Sequence, residues 1–221
     1  MRPGALEPYE RALQHGSPLH LVSTAGGDHT VPLDIRRFAG PVDAADRSAL
    51  DRARPPVLDV GCGPGRLAAE LAARGIPALG IDVSASAVRM ARDRGAEAVQ
   101  TGIFGPVPEP GRWGSVLLMD GNIGIDGDPL AVLGRCIELL APGGEILVET
   151  ATSRGPAGPF RFADGTGVHE PSFGWSVVTD DGLVDLAELL GLCFVARWRH
   201  GSRSFSALGD PLGLRVRRRR G

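Results

Sequence analysis

The chain has 221 residues, of which 43% are hydrophobic and 5% aromatic, with a net charge of −2. That length suits one large α/β domain with additions, and the aliphatic content suffices for a buried core. The near-neutral balance gives no overall field to attract nucleic acid; the 24 basic residues are all arginine, which excludes a Schiff-base or P-loop lysine; and the 32 glycines and 18 prolines follow no repeat.

From the N-terminus, Met1 to Glu10 is polar and carries Pro3 and Pro8, so no secretory leader is read. Tyr9 to Gln14 can form a short helix after Pro8. Leu19 to Ser23 and Thr30 to Leu33 read as extended pieces around the turn Gly26-Gly27-Asp28. Asp43 to Arg54 reads as a helix closed by Pro55-Pro56. From Val57 the pattern becomes regular. Val57 to Val60 is a β-type run followed at once by glycines. Arg66 to Arg74 is helical, with Leu67, Ala68, Leu71 and Ala72 on one face. Ala78 to Val83 is a strand, and Ser84 can cap a helix over Ala85 to Arg94. Ala96 to Thr101 and the nearly all-apolar Trp113 to Met119 are the next strands. Asp128 and Pro129 start a helix through Leu140, and Pro142-Gly143-Gly144 leads into the strand Glu145 to Thr150. Residues 151–178 are rich in glycine and proline and read as irregular. A helix from Asp180 to Leu190 then precedes Cys193 to Trp198 and Ser204 to Leu208, a hairpin turning at Gly201-Ser202. This alternation is that of βαβ units. It predicts a doubly wound, Rossmann-like α/β fold with a mostly parallel sheet and a C-terminal antiparallel hairpin.

The most informative segment is Val57-Leu58-Asp59-Val60-Gly61-Cys62-Gly63-Pro64-Gly65-Arg66, a strand running through three alternate glycines into a helix. Glycines there let the backbone turn tightly and approach a ligand. Asp59 stands two residues before the first glycine, and a second acid, Asp82, ends the next strand, where a carboxylate can accept both hydroxyl hydrogens of a ribose. The dinucleotide fingerprint G-x-G-x-x-G is the competitor. Here the loop is G-x-G-x-G and its sixth position is Arg66. Pro64 removes an amide that a pyrophosphate would use, and Asp59 adds negative charge, so the loop suits a ligand carrying an amino group better than a phosphate.

With this loop the chain resembles the class I S-adenosylmethionine-dependent methyltransferases, strongly over residues 57–150 and by topology over 179–208. The resemblance implies a seven-stranded sheet and S-adenosylmethionine as cofactor. It implies that Asp59, Gly61, Cys62, Gly63 and Gly65 form the loop against the methionine part, that Asp82 binds the ribose, and that Val83 touches adenine. Gly102, Ile103 and Phe104 follow the third strand, where the family places further adenine contacts; the Asp usual near there is replaced by Gln100 and Thr101. Asp120 and Gly121 end the fourth strand beside the transferred methyl.

Methyl transfer is an in-line displacement that orientation and desolvation can accelerate, with a base needed only for a protonated nucleophile. The candidates are Asp120 and Asn122 at the fourth-strand end and His169 in the irregular segment. Asp126 and Asp128 read as a turn and a helix cap, and Glu149 ends the fifth strand. Residues 1–54 are expected to cap the domain of 55–210, with Tyr9, Arg36 and Arg37 within reach of the site. Residues 151–178 are expected to form an acceptor lid, and 211–221, with five arginines, a disordered tail. Cys62, Cys136 and Cys193 lack C-x-x-C spacing, and the histidines lack metal spacing, so no metal is expected. The expected protein is a cytoplasmic enzyme acting on a small-molecule acceptor, with O-methylation favoured, no membrane partner and nucleic acid disfavoured. An RNA or protein methyltransferase and a non-catalytic cofactor-binding protein are the alternatives. The oligomeric state is left open.

Overall fold

The computed structural model describes residues 6–24, 30–153, 155 and 157–209. The expected turn at 26–28 and the arginine tail lie outside them. Along the chain run α1 (Glu7–His15), β1 (Leu19–Ser23), β2 (Thr30–Leu33), α2 (Ile35–Ala39) and α3 (Ala44–Leu50). The regular alternation follows: β3 (Val57–Val60), α4 (Arg66–Ala73), β4 (Ala78–Asp82), α5 (Ala85–Asp93), β5 (Ala98–Gln100), β6 (Trp113–Leu118), α6 (Pro129–Leu139) and β7 (Leu140–Thr150). Last come β8 (Ala157–Asp164), β9 (Gly167–Val168), β10 (Phe173–Ser176), α7 (Asp180–Leu189), β11 (Cys193–His200) and β12 (Arg203–Gly209).

The main sheet has seven strands in the order β11-β12-β7-β6-β3-β4-β5. Strands β5, β4, β3, β6 and β7 pair in parallel, and β12 runs antiparallel to both β7 and β11. The expected doubly wound sheet with its terminal hairpin is therefore present. Side-chain alternation divides the core between its faces. Leu58, Val60, Val116 and Leu118 pack with Leu133 of α6 and Leu183 of α7. Val57 and Leu117 point the other way, onto Leu50 of α3 and Leu71 of α4. Two helix caps are built as read, Ser84 accepting from Ala87 N and Asp128 from Ala131 N, and Thr179, not read as a cap, accepts from Gly182 N at the start of α7. The helix expected over 43–54 is shorter. Asp43 and Asp46 form a reciprocal capping box at its start, and it ends at Leu50.

The irregular reading of 151–178 does not hold. This stretch supplies β8, β9 and β10, which join the N-terminal strands in a second, antiparallel sheet ordered β10-β8-β1-β2, with β9 on β8. Leu21 lies opposite Phe162, and Ser23 opposite Phe160. The N-terminal segment and the segment inserted between β7 and α7 are thus one layer in space. Its apolar inner face, Leu19, Leu21, Phe160, Phe162 and Phe173, packs with Ala12 and Leu13 of α1.

Candidate active site

Between the second sheet and the carboxyl ends of the parallel strands lies a cavity of about 380 Å3. This is where an open α/β sheet binds ligands. The glycine loop forms its floor. Gly61 has φ +68°, and a Cβ there would sit 2.6 Å from Asn122 Nδ2, so only glycine fits. Asn122 in turn donates from Nδ2 to the carbonyls of Val60 and Gly61, at 2.8 and 3.0 Å, holding the loop from the β6 side. From the β4 side Asp82 holds it: Oδ2 accepts from Gly63 N at 2.9 Å, and Oδ1 accepts from Ser84 N at 2.8 Å. Ser84 Oγ then donates to Glu10 of α1 at 2.6 Å, which ties the N-terminal helix to the same corner.

The electrostatics are unusual at two points. Asp59 is 2% exposed, and its Oδ2 has no hydrogen-bond partner. Burial, with the charges of Asp120 and Asp82 adding to it, pushes its pKa up to about 7. Burial also raises Asp82, opposed by its backbone donors, and raises the Tyr9 hydroxyl well above its usual value. At the β6 and β7 ends, four acids meet three arginines. Arg66, 3% exposed, pairs with Asp46 and reaches Asp120 Oδ2 at 2.6 Å. Arg37 of α2 lies 2.8 Å from Asp120 Oδ1. Arg203 of β12 holds Glu149 at 2.7 Å and Asp46 at 2.8 Å, and also reaches Asp43. Burial alone would raise Glu149, but hydrogen bonds and charge from Arg203, the Asp120 N–H and Arg37 outweigh it and hold this carboxyl below its usual value.

The roof is aromatic. Tyr9, Phe38, Phe162, Phe173 and Trp175 line the cavity together with Leu21 and Leu33. Tyr9 stacks on Phe162 at 6.3 Å between centroids, and Phe162 meets Phe173 at 4.7 Å.

A family model described as a methyltransferase domain matches residues 33–195. The chain belongs to this methyltransferase family. It is similar, 35% identical over 102 residues, to the trans-aconitate 2-methyltransferase of Paracidovorax citrulli, a match covering 44% of this chain and 39% of that one. To the ubiquinone biosynthesis O-methyltransferase of Xanthomonas campestris pv. campestris it is 36% identical over 120 residues, 51% of this chain and 48% of the relative. The chain thus spans less than half the length of these relatives. Among solved structures it resembles a SAM-dependent methyltransferase from Bacteroides fragilis in complex with S-adenosyl-L-homocysteine, with a TM-score of 0.75 and 20% identity over 94% of this chain and 96% of that one; at that identity the likeness is one of fold.

For a methyltransferase, the expected site residues fall into two groups. Asp59, Gly61, Cys62, Gly63, Asp82, Val83, Gly102, Ile103, Phe104, Asp120 and Asn122 all line the cavity. Gly65, Gly121 and His169 do not. Gly65 has φ +79°, and a Cβ there would sit 2.6 Å from that of Ala91, so it lets α4 pass close to α5. Gly121 stands under Trp175. His169 sits at the end of β9, its Nε2 2.9 Å from Asp164 Oδ1, away from the cavity. The Asp164 carboxyl is held below its usual range by Thr166 and by His169. Cys62 packs over Gly80, and burial raises its thiol pKa. The sequence reading missed the roles of Asp46, Arg66 and Arg203. Arg66 had a signal: it occupies the sixth fingerprint position, where a buried ion pair now explains why the residue is not glycine.

Proposed function

We propose that this methyltransferase transfers the methyl group of S-adenosylmethionine to a hydroxyl of a small-molecule acceptor, in a domain of residues 55–210 capped by the segments 1–54 and 151–178. The observation that carries the reading is the buried, unpartnered Oδ2 of Asp59 beside the glycine loop. Such an oxygen is costly unless a ligand donates to it, and the amino group of the cofactor's methionine part is a cationic donor of that kind. The rest of the cavity fits the group as well. Gly63 N donates to Asp82 Oδ2 and Ser84 N to Oδ1, and the carboxylate has lone-pair capacity left for a ribose hydroxyl. Val83 and Phe104 are 40% and 48% exposed on the cavity wall, apolar surface that a purine would cover. Bound there, the cofactor supplies an electrophilic sulfonium methyl.

The residues of this chain contribute orientation and exclusion of water. Asn122 and Asp82 fix the glycine loop, and the second sheet roofs the cavity. Asp120, paired with Arg66 and Arg37, enters as an anchored counter-charge. No histidine is among the described lining residues, which suits a hydroxyl acidic enough to release its proton to water. The choice of oxygen follows the ubiquinone biosynthesis O-methyltransferases. The roofed cavity favours a small acceptor over RNA or protein. No described helix is long and apolar enough to cross a membrane, and the free cysteines fit a reducing cytoplasm. The test is incubation with methyl-labelled cofactor and a panel of hydroxylated small molecules, read by mass spectrometry. Label on an acceptor oxygen, matched by S-adenosylhomocysteine release, is expected. Label on nitrogen or carbon, or only in added RNA or protein, would contradict it.

A further inference from the structure

The charges facing the cavity are lopsided. Asp59, Asp82, Asp120 and Asp126 line it, against the single guanidinium of Arg66. That guanidinium holds Asp46 through Nη1 and Asp120 through Nη2, and its buried Nε has no hydrogen-bond partner. Arg37 and Arg203 do not line the cavity, and they are engaged with Asp120, Glu149, Asp43 and Asp46. Among the described lining residues, Arg66 is therefore the one cation that an acidic group could meet, and the carboxylate of the cofactor's methionine part would compete for it. A carboxylate or phosphate on the acceptor would have to share that one guanidinium with two aspartates and the cofactor's own carboxylate, while facing four aspartates at reduced dielectric.

The roof adds a shape requirement. Phe173 and Trp175 alternate along β10 and share a face. Across the ladder Trp175 meets Gly158, which has no side chain to compete with the indole. The indole reaches within 3.7 Å of where a Cβ on Gly121 would sit, which places it over the carboxyl end of β6 next to Asp120. From there the aromatic surface continues through Phe173 and Phe162 to Tyr9. Flat conjugated rings gain offset-stacked or edge contacts on such a surface beyond their area burial, which saturated rings do not.

We propose that the acceptor is a flat, conjugated molecule that enters without negative charge, and that Trp175 seats it. This rests on the methyltransferase reading above. The test uses protein saturated with S-adenosylhomocysteine and three calorimetric probes of similar outline: 2-naphthol, 2-naphthoate and decahydro-2-naphthol. Naphthol should bind at least tenfold more tightly than naphthoate, and more tightly than the saturated alcohol. Trp175→Ala should weaken naphthol about fivefold or more while S-adenosylhomocysteine affinity stays within about threefold. Trp175→Leu, which keeps apolar bulk, should bind the flat and saturated rings alike. Equal or tighter binding of naphthoate, no preference for the flat ring in the wild type, or no binding of any probe to the loaded protein would overturn the acceptor class and leave the cofactor reading standing. Failure of the protein to bind S-adenosylhomocysteine at all would overturn both.

Discussion

At the scale of single residues, the site is a set of buried charges that only partly cancel. Asp59 is the uncancelled one. Its folded pKa, about 7, lies above the ordinary carboxyl value of 3.8, so between those values the folded state keeps a proton that the unfolded chain has lost. The stability this contributes is fully present below the unfolded pKa and is lost as pH rises through about 7. A cationic amino group placed on the ionised carboxylate reverses the penalty. The rise in melting temperature produced by S-adenosylhomocysteine should therefore be larger at pH 7.5 than at pH 5.5, and Asp59→Asn should flatten that difference; an equal rise at both pH values in the wild type would contradict the assignment. Asp82→Ala removes charge-assisted bonds of about 1.5–3 kcal/mol. It should raise the dissociation constant for S-adenosylhomocysteine roughly ten- to a hundredfold, and unchanged affinity would remove Asp82 from the site. Arg66→Met strands part of the charge on Asp46, which is 1% exposed. With Arg203 still in place, the expected loss is near the low end of the ~3–5 kcal/mol typical of breaking a buried pair. Denaturant melts check this, and a loss under about 1 kcal/mol would show that Arg203 alone neutralises Asp46.

At the scale of elements, the parallel strands were legible because each βαβ unit carries its own signals: apolar runs, N-caps and glycine stops lie within about thirty residues of one another. The cofactor half of the site was legible for the same reason, since Asp59, the glycines and Asp82 sit at fixed offsets on consecutive strands. The second sheet was not. Strand β8 is interrupted by Gly158 and Pro159, and its partner β1 lies about 140 residues earlier, so no local pattern announces the pairing. Strands β1 and β2 were read as extended pieces, but only the aromatics of 157–176 hinted at the strands that join them. His169 is not among the residues lining the cavity, and its neighbour in space is Asp164, across the short β8–β9 turn. Phe160 tests how far this sheet is part of the fold. It is fully buried, opposite both Ser23 and Phe173. Phe160→Ala should cost about 3–5 kcal/mol and speed release of S-adenosylhomocysteine, as read by thermal melts and stopped-flow displacement. An unchanged melt would mean that the second sheet contributes nothing to the cooperative unit.

At the scale of the molecule, function rests on two layers closing on one space. The parallel sheet presents carboxylates and a glycine loop at its strand ends, and the antiparallel sheet presents an apolar roof. The two are tied by Glu10 to Ser84, Gln14 to Ser86 and Arg37 to Asp120. In the proposed reading the floor receives a ligand with an amino group, a ribose and a flat base, and the roof receives an uncharged ring. Every reading of the roof depends on the floor holding the cofactor, so the most direct measurement is a calorimetric titration of S-adenosylhomocysteine into the folded wild-type protein at pH 7.5. Saturable binding with a dissociation constant from micromolar to sub-millimolar is predicted. A flat titration up to millimolar ligand, with the protein shown to be folded, would contradict the account.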